Sequence, residues 1–286
     1  MLISLLHRTT FVYAGKAHDS FNEVRLRPVD DASQSCRSFE LRTEPAAHMR
    51  DYTDFYGNAV HYFDVSEAHS RLMIEAVSEV ETTPNSARPP VPQAPNVAAG
   101  SEREMVAEFL VGSHYVPLEV EVWKEAQDAL GGGRSDVWSD VRAICGHVFR
   151  KFAYRPRSTV VATLATEAIR LRSGVCQDFA HVALGMCRCS DIPARYASGY
   201  FMRSERRRDD DDEASHAWIE AYVPGYGWAG FDPTHDRPAD ERYVKVASGR
   251  DYGDIRPVSG TYRGGKTRSL SVEVKVREAE AAGAAR

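Results

Sequence analysis

Three residues of this chain form a set with joint reactivity: Cys176, His216 and Asp232. Cys176 follows Ser173-Gly174-Val175 and opens an amphipathic run in which Phe179, Val182, Ala183 and Met186 would face a core. The pattern predicts a helix from about Gln177 to Cys189, with the thiol at or near its start. Unpaired backbone N–H groups and the positive end of the helix dipole favour a thiolate there. A thiolate beside a histidine is a nucleophile. His216 lies in the run from Ser215 to Val223, which reads as a strand. Ala217, Ile219, Ala221 and Val223 share its apolar face, and His216, Trp218, Glu220 and Tyr222 share the other. Pro224-Gly225-Tyr226-Gly227 turns the chain, and the run from Gly227 to Phe231 returns antiparallel to end at Asp232-Pro233. Positions 216 and 232 are 16 apart. Folded as a hairpin, that interval brings a carboxylate back towards an imidazole, whose tautomer it would fix and whose protonated form it would stabilise. The register of the hairpin stays open at this point.

Taken singly, each residue has a plainer reading: a buried structural cysteine, a packed or surface histidine, an aspartate that forms a turn before proline. Together they make a nucleophile on a helix start followed by a base and an orienting acid on adjacent strands, an architecture with a mechanism. Their surroundings are Gly174-Val175-Cys176-Gln177-Asp178-Phe179-Ala180, Pro193-Ala194-Arg195-Tyr196, Ser198-Gly199-Tyr200, His216-Ala217-Trp218, Gly227-Trp228 and Phe231-Asp232-Pro233-Thr234. In order and spacing this set resembles the transglutaminase-like superfamily, and more narrowly its bacterial members with an N-terminal β region. The match runs over roughly 140–276. Gly249-Arg250-Asp251-Tyr252 and Pro257-Val258-Ser259-Gly260 also resemble stretches of that family. The resemblance implies a papain-like Cys-His-Asp triad, with Cys176 as nucleophile, His216 as base and Asp232 as orienting acid. The reaction it implies is acyl transfer through a thioester, with the backbone N–H of Cys176 as an oxyanion donor and no metal or cofactor. The second oxyanion donor is left open between Gln177, Tyr154 and others. One position departs from the family, which usually has Asn after Asp-Pro-Thr; here it is His235. The change either adds a titratable group near the site or leaves it undisturbed.

The elements that would carry these residues fall into two groups. Residues 1–83 read as β structure. Ile3 to His7 and Thr9 to Tyr13 are rich in β-branched and aromatic residues, and the runs 23–28 and 37–42 alternate apolar with polar. Asp54 to Phe63 looks like a hairpin turning at Gly57-Asn58, and Leu72 to Val80 like a further strand. A small all-β, sandwich-like domain is expected. Pro84, Pro89, Pro90, Pro92 and Pro95 then mark 84–100 as a linker or extended crossing segment. Helices are expected over Glu102–Val111, Leu118–Leu130, Asp136–Phe152 and Thr166–Arg172, the third with Val137, Val141, Ile144, Val148 and Phe149 on one face. Strands follow at Ala194–Met202, Ser215–Val223, Gly227–Phe231 and around Leu270–Val276. Helices before strands give an α+β, papain-like catalytic domain over 101–277, with a frayed tail at 278–286. The charged stretch Arg203–Glu213 reads as a solvated hairpin tip or a flap over a nearby site.

Composition narrows the functional classes. The chain has 286 residues, 43% hydrophobic and 27% charged, which is ordinary for a globular protein. Lys plus Arg is 36 and Asp plus Glu is 41, a net charge of -5 that argues against a general nucleic-acid binder. No window has the roughly 18 uncharged apolar residues of a membrane helix. The start of the chain lacks the pattern of a signal peptide, so the cytoplasm is the expected compartment. Five scattered cysteines fit a reducing environment better than a disulfide framework. Cys187 and Cys189 lack the further ligands of a metal site. His181 and Asp178 are expected to have packing or surface roles. The expected activity is cysteine-dependent acyl transfer on a peptide or protein substrate, with hydrolysis ahead of transamidation. The alternative is a binding or assembly module that keeps the fold with little catalysis. Oligomeric state and substrate identity are not legible in the sequence.

Overall fold

The structure, a computed structural model, describes residues 1–84, 100–202 and 215–279. Most of the 84–100 linker, the charged stretch 203–213 and the tail beyond 279 lie outside them.

The two β-rich runs at the N-terminus form one long strand, β1 (Leu2–Val24). Its first half alternates strictly, with Ile3, Leu5, His7 and Thr9 turned inward. β2 (Gln34–Glu44), β3 (Arg50–Thr53), β4 (Ala59–Val65) and β5 (His69–Thr82) follow. The β3–β4 turn is closed by Asp54, whose Oδ1 accepts the backbone N–H groups of Tyr56 and Asn58, each at 3.0 Å. All five strands lie in one sheet, ordered β2-β5-β1-β4-β3.

The helical part contains α1 (Ser101–Val106), α2 (Val120–Leu130), α3 (Val137–Lys151), the two-residue β6 (Ala153–Tyr154), α4 (Ala165–Leu171), β7 (Ser173–Gly174) and α5 (Cys176–Cys189). Gly131 ends α2 in the left-handed conformation, at φ 61°. Asp136 caps α3, its side chain accepting from Ser139 N–H at 3.0 Å. Phe149, expected on the buried face of α3, is instead 49% exposed, because it lies about 100° round the helix from Val148, at the edge of the face that Val148 and Phe152 bury.

A second sheet follows, made of β8 (Ala194–Phe201), β9 (Ser215–Val223), β10 (Gly227–Asp232), β11 (Arg237–Pro238) and β12 (Tyr243–Gly249). Its order is β11-β10-β9-β8-β12, and the pairs of β8, β9, β10 and β12 are antiparallel. Helix α5 packs on it. Phe179, Val182, Ala183 and Met186 share one core with Ala217, Ile219, Ala221 and Val223. That core also contains Ile3, Leu5 and Val80 of the first sheet, so the two sheets share a hydrophobic interior. At roughly 1.5–3 kcal/mol for each large apolar side chain buried, this shared interior binds the halves together.

The last strand, β13 (Val258–Glu278), changes the expected division of the chain. It leaves the second sheet's part of the chain and pairs antiparallel with β1 from Ile3↔Glu278 to Val24↔Val258, as the sixth strand of the first sheet. The second unit drawn over 101–277 therefore gives its final strand to the first. Alternation marks a strand, but the choice of partner is non-local.

Candidate active site

Local chemistry builds the start of α5. The backbone N–H of Val175 donates to Asp178 Oδ2 at 2.8 Å, and Thr159 Oγ1 donates to the same oxygen at 2.6 Å. Asp178 is thus a buried brace for the turn that presents Cys176. Burial pushes its carboxyl above the usual value, against the pull of these donors. Gly174 has no freedom to be anything larger, since a Cβ there would lie 2.6 Å from Asp178 Cβ. Cys176 follows as the first helical residue and is part-exposed.

Facing it is His216, 9% exposed, on β9. The β9–β10 register pairs Phe231 with Ile219, which brings Asp232 under the first residues of β9. His216 Nε2 lies 2.8 Å from Asp232 Oδ2. Nδ1 is then the ring nitrogen left for the thiol, and a hydrogen bond with Cys176 acts on His216. Burial alone would strip the proton from His216. The charge and hydrogen bond of Asp232, with Cys176 adding to them, outweigh burial and lift its pKa to about 10. Asp232 is wholly buried, which opposes its ionisation, yet His216 and His235 hold it far below the usual carboxylate range. Oδ2 also accepts from Tyr243 O–H at 2.7 Å, and Oδ1 from Thr234 N–H at 2.7 Å. Gly199 sits opposite His216 in the β8–β9 ladder. A Cβ there would fall 1.9 Å from the Val244 carbonyl, so β8 and β12 approach closely only with glycine.

Cys176 and His216 line a cleft of about 140 Å³, and Asp232 is buried behind His216, outside its lining. The core supplies Tyr196, Tyr200 and Tyr252 to its walls; the first sheet and its neighbouring loops supply His7, Arg25, Leu26 and Pro257. His7 Nδ1 lies 3.0 Å from Tyr200 O–H, and burial lowers its pKa to about 4. Tyr196 is buried beside the thiol; burial first, and then the charge of Cys176, push its phenol well above the ordinary value.

Gln177, one of the residues weighed as an oxyanion donor, gives its Nε2–H to the Val161 carbonyl at 2.9 Å. His181 is a core residue. Its ring stacks on Tyr115 at 5.3 Å, its Nε2 accepts from Tyr252 N–H, and burial lowers its pKa to about 3. Among the described residues, the ligand atoms of His216, Asp232 and His235 lie within 4.8 Å of one another. Both ring nitrogens point at one carboxylate oxygen at hydrogen-bond distance, so the trio is a proton-bridged network.

Comparison with known proteins gives the family and the fold. Residues 3–81 match the model of the bacterial transglutaminase-like N-terminal region, and residues 124–233 match that of the transglutaminase-like superfamily. An uncharacterized protein of Mycobacterium leprae is 33% identical over 95% of this chain and 97% of its own length. An uncharacterized protein of Mycobacterium tuberculosis is 30% identical over 94% of this chain and 90% of its own. The chain belongs to the transglutaminase-like superfamily. Its fold is shared with a crystal structure of a protein put forward as a cysteine protease, from Cytophaga hutchinsonii, at a TM-score of 0.77 and 24% identity over 98% of this chain and 92% of that one. The α+β core behind an N-terminal β region is therefore the transglutaminase-like arrangement. Membership supports a cysteine-dependent acyl-transfer or protease activity.

Several residues of this transglutaminase-like site escaped the sequence reading. Tyr243 was missed because β12 was not expected. Its short run Tyr-Val-Lys-Val-Ala-Ser-Gly contains a bulge between Lys245 and Ala247 that breaks the alternation. His7, Arg25 and Leu26 carry no local signal, since only the packing of the two sheets brings them to the cleft.

Proposed function

We propose that this protein is a cysteine-dependent acyl-transfer enzyme that cleaves peptide or carboxamide bonds through a thioester on Cys176, with water as the preferred acceptor. The observation that carries this reading is Cys176 at the first position of α5, facing a buried His216 whose far nitrogen lies 2.8 Å from Asp232. In the reading, Cys176 Sγ attacks the carbonyl carbon and the C=O electrons move to oxygen. The backbone N–H of Cys176 donates to that oxygen. The tetrahedral centre collapses, the C–N bond breaks, and His216 gives its Nδ1 proton to the departing amine. Water then attacks the thioester, His216 takes the water's proton, and the carboxylic acid leaves as the thiol is restored. Asp232 holds the imidazole in one tautomer throughout and stays ionised.

Hydrolysis is preferred to transamidation because Cys176 is part-exposed at its cleft, whereas transfer to an amine needs water kept out. The cleft walls favour an extended peptide or protein segment whose small or apolar groups pack against Tyr196, Tyr200 and Leu26. The cytoplasm is the compartment we propose, since all five cysteines are free thiols. No helix among the described residues is long and apolar enough to cross a membrane.

The test is a screen of peptides and carboxamides with and without a primary amine, read by mass spectrometry of products and of the acylated enzyme. Turnover to the acid, lost in Cys176→Ala with the fold intact, supports the reading. Turnover that survives Cys176→Ala overturns it. A chain that traps no acyl group and turns nothing over belongs with the binding-module alternative.

A further inference from the structure

Asp232 serves two imidazoles with one atom. His216 Nε2 lies 2.8 Å from its Oδ2, and His235 Nδ1 lies 2.6 Å from the same oxygen. The two rings are 5.2 Å apart between centroids, and Phe201 packs against both. His235 sits on the turn after β10, where its own backbone N–H also reaches Asp232 Oδ1 at 3.3 Å. Its side chain is 30% exposed while that of Asp232 is 0% exposed, so His235 is the solvent-facing edge of an otherwise buried network. The other titratable or charged groups around this network come from several elements. Tyr243 on β12 donates to Oδ2. Cys145 on α3 feels the charge of Asp232 and Asp236, and Arg142 on α3 lies 3.7 Å from Asp236. Arg242 lies over the Phe201 ring, and Cys176 faces His216 from α5.

Chemistry sets what this arrangement does. A buried carboxylate with one imidazole as its partner holds that imidazolium tightly. Tight holding helps form a thiolate–imidazolium pair, but an imidazolium held too tightly is a poor acid for the leaving amine. Each extra donor on the same oxygen takes up part of its charge. We propose that His235 is a positioning residue for acyl transfer, giving its Nδ1 proton to the oxygen that holds His216 so that His216 keeps enough acidity to protonate the leaving group. This rests on the acyl-transfer reading of Cys176, His216 and Asp232. His235 touches no substrate in this role; it acts through Asp232. Asparagine at this position would supply the same kind of donor without a second ionisable ring.

The experiment uses the full chain and needs no substrate. Nitrogen-15 NMR of labelled histidine reads the pH at which His216 loses its proton, and iodoacetamide kinetics read Cys176 by peptide mass spectrometry across the same range. In His235→Phe, which keeps the ring against Phe201 but removes the donor, the His216 titration moves up by about 0.5–1 pH unit, a change of roughly three- to ten-fold in the equilibrium. The alkaline step in the Cys176 alkylation profile, where the imidazolium loses its proton, moves with it. His235→Asn returns both to near the wild-type position. Tyr243→Phe, which removes another donor from the same oxygen, shifts His216 in the same direction. If His235→Phe does not fold, His235→Ala carries the same expectation. An unmoved His216 titration in the folded variant overturns the proposal, as does an asparagine variant that behaves like phenylalanine. A wild-type Cys176 that is inert and indifferent to His216→Ala overturns the acyl-transfer reading instead, and the two failures are separately visible.

Discussion

Gln34 and Lys245 stand 211 residues apart, yet the side chain of one completes the backbone of the other: Gln34 Oε1 accepts the Lys245 N–H at 2.7 Å and Gln34 Nε2 donates to the Lys245 carbonyl at 2.9 Å. Val29 N–H gives that carbonyl a second bond at 3.1 Å. Asn58 does the same for Ser248, with bonds of 2.8 and 2.9 Å. β12 is the last strand of its sheet, so its outer backbone groups would otherwise be an open edge. Two amide side chains from the first sheet region close it.

Replacing Gln34 by Ala should therefore cost about 1–3 kcal/mol, the penalty for backbone groups left unpaired in a part-buried place. Urea unfolding would show a lower midpoint with little change in slope. A midpoint equal to wild type would mean that water replaces the amide without loss.

Cys176 should alkylate ahead of the other four cysteines in the native protein. Cys145 and Cys187 are buried, and burial pushes the Cys187 thiol up to about 12 and Cys145 well above its usual value. His216→Ala should slow Cys176 alkylation by at least about ten-fold near neutral pH, by removing the group that holds the proton. Equal rates in the two proteins would mean the thiol and imidazole are not coupled.

Asp232→Asn should leave the fold near intact and lower turnover on the order of 10³-fold or more, since the amide no longer stabilises the imidazolium. His216 has a folded pKa raised to about 10, so its interaction with Asp232 adds stability in full below the ordinary imidazole value of 6.5. That stability fades as the pH climbs through about 10. In Asp232→Asn this alkaline decline should vanish from a plot of melting temperature against pH.

Acid behaviour follows from Glu220. It is buried between Arg195 and Lys245, at 2.7 and 2.8 Å, and although burial opposes its charge, the two cations bring its pKa down to about 2. A carboxyl lowered on folding stabilises the protein above its ordinary value of 4.5 and loses that contribution as pH falls through about 2. Glu220→Gln should flatten stability between those limits and take one carboxylate from two part-buried cations, of which Lys245 keeps Asp31. An unchanged acid profile would assign the acid sensitivity to other groups.

The site was legible where chemistry announces itself locally. A cysteine after Ser-Gly-Val at the head of an apolar stripe is a helix start by composition, and the turn at Pro224–Gly227 sends Asp232 back towards His216 with its register left open. The fold was legible to the same depth: α5, β9 and β10 were expected within a residue or two of where they lie. What escaped depends on residues far apart in sequence meeting in space. Tyr243 reaches Asp232 only because β12 pairs with β8. His7 reaches the cleft only because the two sheets share a core. Asp178 was expected in a packing or surface role and turns out to brace the turn that presents Cys176. Its position two residues after Cys176 and three after Val175 carried that signal, since an acid at the third helical position commonly reaches back to the residue before the helix.

The pairing of Ile3 with Glu278 places the first and last described strands side by side in one sheet. Topologically the catalytic part is a guest, threaded between the fifth and sixth strands of a host sheet. The host cannot be cut away at residue 83 as a self-standing piece, for it would leave its sixth strand behind on the guest. Joining β13 back to β1 by a linker and opening the chain elsewhere should, by contrast, leave every strand with its neighbour. Recombination that exchanges catalytic parts among such proteins would have to swap an interior segment rather than a terminal one.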